Sequence, residues 1–290
     1  MEPFVFVVLH YLNYEDTVEC VDSLLKIDDA HTRVVVVDNG SPNESGRKLE
    51  ARYRAEDRVD CLLSEENLGF ARGNNLGYRY ARRELGAGFV CLLNNDTVIE
   101  QVDFVRRIRE KYAADPFDIL GPDIVTLKGE HQNPAPVTLQ DREVLRKKLR
   151  LWRVQLFLSY FAADMFLENV KKAIFPKPLI PRAPTVQWDY SREYEGVKLH
   201  GCALCFSPRY VERYEEALHP GTFMFAEEEI LYLKVKREGL RTVYFPAVRV
   251  IHKEDRATDE VYNTNLKKRR FIYRNSIRSG KILLKLLEDE

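Results

Sequence analysis

Short apolar runs alternate with helix-like stretches along the first 126 residues. Four runs lack polar alternation: Phe4–Leu9, Val34–Val37, Val59–Leu63 and Phe89–Leu93. Such runs suit strands that are covered on both faces, as in a parallel sheet. Helix-like stretches lie near residues 15–27, 43–56, 72–86 and 100–114. The alternation predicts an α/β fold with a Rossmann-like, mostly parallel sheet flanked by helices and joined by right-handed crossovers.

Beyond residue 126 the pattern changes. Residues 129–136 read as a loop, and Arg142–Phe175 predicts a basic amphipathic helix that prolines at 176–184 end. The remaining predicted elements are a strand at Leu199–Phe206, a helix starting near Pro208, a helix at Phe225–Gly239, a strand at Thr242–Ile251 and a basic helix at Asn263–Leu287. The chain therefore ends in added C-terminal helices.

Charge is unevenly distributed along the 290 residues. The 45 basic and 45 acidic side chains sum to zero, which argues against a generic polyanion binder. We expect no nucleic-acid partner, because the basic residues are not interleaved with an identifiable binding module. Residues 141–180 and 263–287, however, are both basic. They predict either helices that lie on an anionic membrane surface or solvated helices packed on the protein itself or on a second subunit, as in a homodimer.

The cysteine content, the N-terminal segment and the apolar stretches favour a cytoplasmic location. The five cysteines are odd in number and widely spread, and we expect no signal peptide because Met1 runs directly into a predicted strand. The apolar stretch Val154–Leu167 contains polar residues and is shorter than the roughly 20 apolar residues that a membrane-spanning helix needs. We expect a cytoplasmic protein, with peripheral contact at the inner face of the plasma membrane as an open alternative.

Polar residues follow each of the four predicted N-terminal strands. These segments are rich in Asn, Asp and Gly: His10–Tyr14, Asp38–Ser41, Glu66–Phe70 and Asn94–Thr97. Turn chemistry explains part of this composition. Ligands of open α/β sheets bind outside the carboxyl ends of the strands, so four such segments at one edge predict a ligand site there.

Two single residues are candidates for metal or phosphate contact. Asp96 follows an apolar strand and two asparagines, and its carboxylate suits a hard divalent cation, although a turn is the alternative. His252 follows the apolar segment Val248–Ile251, where a metal or phosphate contact competes with a structural role.

Three adjacent carboxylates begin a predicted helix at Glu227–Glu229. Favourable charge at a helix N-terminus, worth about 0.3–1 kcal/mol for each residue, is the simplest interpretation. Three neighbouring acids also repel each other, and Phe223 and Phe225 shield them in part. One of them is therefore expected to have a raised proton affinity, which suits a general base.

The ordered segments resemble the family 2 glycosyltransferases, inverting enzymes of the GT-A fold, and most closely their rhamnosyltransferase-like branch. The matching segments are VVVVDNGS (34–41), NLGFARGNNLG (67–77), FVCLLNNDTVI (89–99), HGCALCFSPR (200–209), FMFAEEEILYLKVKREGLRTVYFP (223–246) and VIH (250–252). The resemblance implies one GT-A domain made of a nucleotide-sugar-binding half (1–126) and an acceptor and catalytic-base half (127–262). The second half carries a basic insertion (142–180), and a C-terminal helix (263–290) follows.

The resemblance also implies residue roles. Glu228 is the implied catalytic base, with its neighbour Glu227 as the alternative, and Asp96 and His252 are the implied ligands of Mg²⁺ or Mn²⁺. The implied donor-binding residues are Asn13, Asp38, Asn39, Asn67, Gly69, Arg72, Asn74, Asn95 and Gly201. Two departures stand out: Asn94 replaces an Asp that is frequent in the metal motif, and the base is Glu where Asp is commoner.

The implied reaction is inverting transfer of a sugar from TDP-rhamnose or a UDP-sugar to a glycan or polyprenyl-linked acceptor in bacterial surface polysaccharide synthesis. Two alternatives stay open. One is a nucleotide-sugar-binding scaffold without turnover. The other is a sugar nucleotidyltransferase, although Leu9–Tyr14 lacks the Gly-rich basic loop usual in such enzymes.

Overall fold

The computed structural model describes residues 2–138, 141–163, 186–254 and 265–289. The strands in these ranges are β1 (Phe4–His10), β2 (Thr32–Asp38), β3 (Val59–Leu63), β4 (Phe89–Asn94), β5 (Thr97–Val98), β6 (Ile119–Thr126), β7 (Tyr194–Glu195), β8 (Ala203–Phe206) and β9 (Thr242–His252). The helices are α1 (Tyr14–Leu24), α2 (Ser45–Tyr53), α3 (Phe70–Arg83), α4 (Phe104–Ala114), α5 (Arg142–Ser159), α6 (Pro208–Arg213), α7 (Glu227–Glu238) and α8 (Asn265–Glu288).

The nine strands of the described chain form one sheet in the order β3-β2-β1-β4-β8-β6-β9-β5, with β7 paired to the side of β9. Strands β3, β2, β1 and β4 are parallel. Strand β8 runs antiparallel to β4 and to β6, so the sheet is mixed beyond β4. The α/β class with helices around a central sheet agrees with the sequence-based prediction.

Each face of the sheet packs against its own set of helices, which explains the unbroken apolar runs. In β1, Phe4, Phe6 and Val8 belong to a core cluster with residues of α1, α2 and α4. The alternate residues Val5 and Val7 belong to a second cluster with residues of α3, α6 and α7. Because both faces are buried, a polar residue has no solvated side of the strand to occupy.

Two predicted elements in the second half of the chain differ from the structure by several residues. The predicted strand at 199–206 begins only at Ala203, because Gly201 and Cys202 form a turn beside the cavity described below. The predicted helix Arg142–Phe175 is not continuous, since α5 ends at Ser159 and residues 160–162 turn. Residues 164–185, which include the proline-rich connector and the end of the basic insertion, and residues 263–264 lie outside the described ranges.

The two basic helices α5 and α8 pack against each other and against α7. Their shared apolar cluster joins Leu145 and Leu149 of α5, Ile230 and Leu233 of α7, and Leu283 of α8. Gly280 allows this approach, because a Cβ there would lie 3.0 Å from a methyl carbon of Leu149. Part of the surface of the basic helices α5 and α8 is therefore buried against the protein itself. No helix in the described ranges has the length and apolar character needed to cross a membrane.

Candidate active site

A cavity of about 600 Å³ lies outside the carboxyl ends of β1, β2 and β4, where the sequence predicted a ligand site. Segments from the second half of the chain complete its wall. The lining residues are Leu9, Tyr11, Asn39, Asn67, Gly69, Phe70, Asn94, Asn95, Asp96, Gln132, His200, Phe223, Met224, His252, Glu254 and Phe271. Six of the predicted site residues thus meet in one cavity: Asn39, Asn67, Gly69, Asn95, Asp96 and His252.

One side of the cavity is a network of amides centred on Asn39. The Asn39 side chain donates to the Asn67 side-chain oxygen and to the Gly69 carbonyl, both at 3.2 Å, and accepts the Leu68 N–H at 2.8 Å. Gly69 has φ +81°, and a Cβ there would lie 2.3 Å from the carbonyl oxygen of Phe223. Only glycine fits such a backbone and such a close approach. The network therefore ties the end of β2 to the start of α3 and to the Phe223 segment.

The floor of the cavity brings Asp96 and His252 together. Strand β5 pairs with β9 so that Thr97 lies opposite His252, and the Lys253 N–H donates to the Asp96 carbonyl at 2.9 Å. The Asp96 Oδ1 lies 3.4 Å from the His252 Nε2. This oxygen is buried and has no hydrogen-bond partner among the described residues. A buried carboxylate oxygen without a partner beside an imidazole nitrogen is an arrangement suited to a cation.

The chemistry of these two residues is compatible with a divalent cation that would take its other ligands from a substrate. Oxygen and imidazole ligands suit Mg²⁺ and Mn²⁺, which are commonly bound through one or two carboxylates together with substrate phosphates. Within the described residues there is no cluster of three or more Asp, Glu, His or Cys side chains able to hold a metal. The described residues would therefore supply two protein ligands to such a cation, and position 94 holds Asn instead of a second aspartate.

The three glutamates at the start of α7 lie in three different environments. A strained turn precedes them, since Phe225 and Ala226 have φ +71° and +66°, values uncommon outside glycine. The Glu228 side chain is 29% exposed, and its Oε1 accepts the Gly201 N–H at 2.5 Å. The same oxygen lies 3.9 Å from Nδ1 of His200, a cavity-lining residue. Glu228 is thus at the edge of the cavity.

The neighbours of Glu228 are buried. Glu229 is 5% exposed and accepts from the Lys198 Nζ at 2.9 Å and from the Thr138 hydroxyl at 2.7 Å. Burial raises the pKa of Glu227 to about 7, and the adjacent Glu228 charge adds to the effect. One Glu227 oxygen has no hydrogen-bond partner in the part of the chain that the structure describes.

The other predicted donor-binding residues do not line the cavity. Asn13 caps α1 by accepting the Asp16 N–H at 3.2 Å. Asp38 accepts the Ser41 N–H at 3.2 Å, and burial raises its pKa. Asn74 donates to the Phe70 carbonyl at 3.0 Å, and the Arg72 side chain is exposed on α3. Gly201 faces Glu228, as its hydrogen bond shows. Their implied roles in donor binding stay predictions.

Three polar cavity residues had no role in the sequence-based prediction: Gln132, His200 and Glu254. His200 lies within the quoted segment HGCALCFSPR, so its position was the one available signal. Burial lowers the pKa of His200, and its Nδ1 accepts the Cys202 N–H at 3.2 Å. Gln132 lies in a loop with no motif and reaches His252 only through the fold, whereas Glu254 lies two residues after His252 in the sequence.

A family sequence model described as "Glycosyl transferase family 2" matches residues 6–167, more than half of the chain. The chain belongs to glycosyl transferase family 2. Membership confirms the family that the sequence predicted and, with it, the glycosyltransferase class of enzyme. The rhamnosyltransferase-like branch stays a prediction.

Two curated relatives carry glycosyltransferase names. "Uncharacterized glycosyltransferase EpsJ" of Bacillus subtilis is 24% identical over 148 residues, which cover 51% of this chain and 41% of EpsJ. "Low-salt glycan biosynthesis hexosyltransferase Agl10" of Haloferax volcanii is 28% identical over 130 residues, which cover 45% of this chain and 39% of Agl10. The match spans about two fifths of the length of each relative.

Solved structures of S. aureus TarS (residues 1–349) share the fold. The structure without a named ligand has a TM-score of 0.54 at 15% identity and covers 89% of this chain and 61% of that one. The complex with UDP has a TM-score of 0.54 at 13% identity, with coverages of 93% and 65%. This likeness confirms the GT-A-type architecture of the family 2 member described here.

Proposed function

We propose that the protein is a metal-dependent, inverting glycosyltransferase that takes a sugar from a TDP- or UDP-linked donor. The observation that carries this proposal is the unpartnered carboxylate oxygen of Asp96 beside His252 on the cavity floor. This pair lies at the carboxyl edge of the sheet, where nucleotides bind in open α/β folds. Residues 1–126 supply the donor side of the proposed site, and residues 127–262 supply the base.

The donor is proposed to lie along the amide network of Asn39, Asn67 and Gly69. These groups offer hydrogen-bond donors and acceptors for a base and a ribose, and Phe223 and Phe271 provide apolar contact area in the same cavity. The TarS structure in complex with UDP supports a nucleoside diphosphate ligand, since TarS shares this fold. The diphosphate then points towards Asp96 and His252.

Departure of the nucleoside diphosphate leaves negative charge on its terminal phosphate. Asp96 and His252 are proposed to hold Mg²⁺ or Mn²⁺, which when bound neutralises that charge as a Lewis acid. The Lys253 N–H bond to the Asp96 carbonyl fixes the spacing of the two ligands. A prearranged pair costs no reorganisation when the charge develops.

Glu228 is proposed to take the proton from the acceptor hydroxyl. Of the three glutamates it is the most accessible, and it lies at the cavity edge beside His200. Glu229 is already engaged by Lys198 and Thr138, and Glu227 is buried. The deprotonated hydroxyl attacks the anomeric carbon from the side opposite the leaving diphosphate. One such displacement inverts the configuration at that carbon.

The proposed acceptor is a glycan or a polyprenyl-linked glycan, presented at an anionic membrane surface on the cytoplasmic side. The support is an exposed apolar patch formed by Val154 and Phe157 on α5 and Phe161 in the turn after it, which are 49%, 64% and 71% exposed. Exposed basic residues lie on the same two helices: Arg150 and Arg153 on α5, and Arg274, Arg278, Lys281 and Lys285 on α8. Aromatic residues beside a basic face are typical of helices that lie on anionic lipid.

Vesicle sedimentation tests the membrane proposal. We expect binding to vesicles that contain phosphatidylglycerol, no binding to phosphatidylcholine alone, and loss of binding when Phe157 and Phe161 are both changed to Ser. Leu127→Ser, at a residue that is 68% exposed outside this patch, is the matched control and is expected to bind normally. Equal binding by both variants contradicts the proposal. Gel filtration of the free protein decides whether the same patch joins a second copy.

Release of nucleoside diphosphate from a panel of UDP- and TDP-sugars with Mn²⁺ tests the activity. Glu228→Gln is expected to lower transfer by about 10²–10⁴-fold, the usual contribution of a general base, with nucleotide affinity kept. Glu44→Gln, at an exposed acid just before α2, is the control. Full activity of the Glu228 variant contradicts the assignment. Binding without turnover favours a scaffold, and release of pyrophosphate favours a nucleotidyltransferase.

A further inference from the structure

Gln132 connects His252 to Glu254 at the back of the cavity. Its Oε1 lies 2.7 Å from the His252 Nδ1, and its Nε2 donates to the Glu254 Oε1 at 2.7 Å. The Gln132 backbone is anchored, since its N–H donates to the Ile124 carbonyl in β6 at 2.9 Å. Glu254 has φ +59°, an uncommon conformation outside glycine that tends to persist where a site requires it.

The Glu254 carboxyl group decides which way the Gln132 amide points. The Gln132 Nε2 donates to the Glu254 Oε1 at 2.7 Å, and a carboxylate oxygen accepts hydrogen bonds, so the amide NH₂ group faces Glu254. The amide oxygen then faces the His252 Nδ1. The reverse orientation would place two acceptor oxygens against each other at hydrogen-bond distance.

The orientation of the amide in turn decides where the His252 proton sits. Because the Gln132 oxygen only accepts, the His252 Nδ1 must carry the hydrogen. In the neutral imidazole the Nε2 then keeps its lone pair. That lone pair is on the nitrogen 3.4 Å from the Asp96 Oδ1, the buried oxygen without a hydrogen-bond partner among the described residues.

We infer that Gln132 and Glu254 are positioning residues that hold His252 in its Nδ1–H tautomer, with the Nε2 lone pair presented beside Asp96. This inference rests on the proposed function in one respect: a cation that binds there takes Nε2 as a ligand. Neither residue needs to touch the donor or the acceptor. Their role is to keep an electron-pair donor, and not a proton, at the position facing Asp96.

Long-range ¹H–¹⁵N NMR at pH 8 tests the tautomer directly. His252→Gln identifies the signal of His252, and the wild-type protein is expected to show a protonated Nδ1 and an unprotonated Nε2. Gln132→Leu is expected to give a mixture of tautomers and to weaken Mn²⁺ binding, measured by EPR, by about 10–100-fold, as is typical when a ligand's hydrogen-bond partner is lost.

A charge-conserving exchange provides the rescue. In Gln132→Glu with Glu254→Gln, the new carboxylate accepts from both the His252 Nδ1 and the new amide. The double variant is therefore expected to recover the Nδ1–H tautomer and the wild-type Mn²⁺ affinity, which Gln132→Leu lacks. Because it restores the same hydrogen-bond pattern, it also keeps the test decisive if Gln132→Leu unfolds.

Gln101 is the matched control for loss of a bridging glutamine. It also bonds to β9, donating to the Ala247 carbonyl at 3.2 Å and accepting the Arg249 N–H at 2.6 Å, but it does not line the cavity. Gln101→Leu is expected to leave the tautomer and the Mn²⁺ affinity unchanged.

A wild-type Nε2–H tautomer, or a tautomer that Gln132→Leu leaves unchanged, overturns the inference whatever the activity. An Nδ1–H tautomer that depends on Gln132 supports it, even if Mn²⁺ does not bind. In that case the proposed metal function fails separately.

Discussion

Gly69→Ala is expected to damage both stability and nucleotide binding, because two penalties coincide at this residue. Its backbone angles of φ +81° and ψ −178° lie in a region that is open essentially to glycine, and a side chain there costs about 1–3 kcal/mol. The added Cβ would also lie 2.3 Å from the Phe223 carbonyl oxygen and 2.7 Å from its ring. Overpacking of this kind costs about 1–3 kcal/mol more. The expected loss in unfolding free energy is about 2–6 kcal/mol.

Gly86→Ala separates the cost of backbone strain from the cost of overpacking. Gly86 has φ +59°, but no described atom lies within 4 Å of the position that an added Cβ would take. Its substitution therefore carries only the left-handed strain of about 1–2 kcal/mol. Urea unfolding followed by the fluorescence of the two tryptophans measures both variants. The contact with Phe223 accounts for the difference between them.

The binding penalty follows from the same contact. The Gly69 N–H donates to the Asn67 side chain at 2.9 Å, and the Gly69 carbonyl accepts from Asn39 at 3.2 Å. Moving Gly69 away from Phe223 disturbs this network, and the loss of about 1.4 kcal/mol, close to one hydrogen bond, weakens UDP binding about tenfold. Calorimetric titration measures this affinity. A variant that is no less stable than Gly86→Ala and binds UDP normally refutes the reasoning.

Three further substitutions and one surface control probe the carboxylates. Burial raises the folded-state pKa of Glu227 from 4.5 to about 7, so the folded protein holds the proton more tightly and loses stability as the pH rises between these values. Glu227→Gln should remove up to about 3 kcal/mol of that loss, and urea unfolding at pH 5 and pH 8 checks it; an unchanged pH dependence contradicts it. Glu229→Gln removes the carboxylate that lies 2.9 Å from the buried Lys198 Nζ and leaves the Glu228 carboxylate at 3.8 Å, so it should cost up to about 3–5 kcal/mol, whereas Glu44→Gln on the exposed surface should cost under about 1 kcal/mol. Asp96→Asn should abolish Mn²⁺-induced thermal stabilisation while UDP alone still binds, and retained stabilisation contradicts the metal assignment.

The parallel half of the sheet could be predicted from the sequence, because strands that are buried on both faces appear as unbroken runs of apolar residues. The predicted limits of β3 agree with the structure, and β1, β2 and β4 differ by two residues or fewer at either end. Strand β6 left no comparable signal, since Gly121, Pro122 and Asp123 interrupt it. In the folded chain Asp123 is buried, but it pairs with Arg249 at 3.0 Å and with His131 at 2.6 Å. A charged residue in a strand becomes acceptable only through partners that are distant in sequence.

The candidate site also contains residues that could be predicted from the sequence and residues that could not. Asn39, Asn67 and Asp96 could be found because they directly follow strands, and the topology of the sheet then brings them to one edge. Gln132 could not be found, because it reaches His252 through a loop after β6. Glu254 is two residues from His252, but its contact with Gln132 depends on the backbone turn after β9. Their importance depends on hydrogen-bond direction, which residue spacing does not encode.

The glutamate triplet shows why a motif does not by itself identify the base. Successive residues of a helix point about 100° apart, because a turn holds 3.6 residues. Glu227, Glu228 and Glu229 therefore meet three surroundings: the protein interior, the cavity edge, and the buried Lys198 ammonium group. Burial disfavours ionisation of Glu227, and the Lys198 charge holds Glu229 as a structural ion partner. Only Glu228 is left both accessible and within reach of the cavity, so the tertiary contacts separate residues that the sequence presents as equivalent.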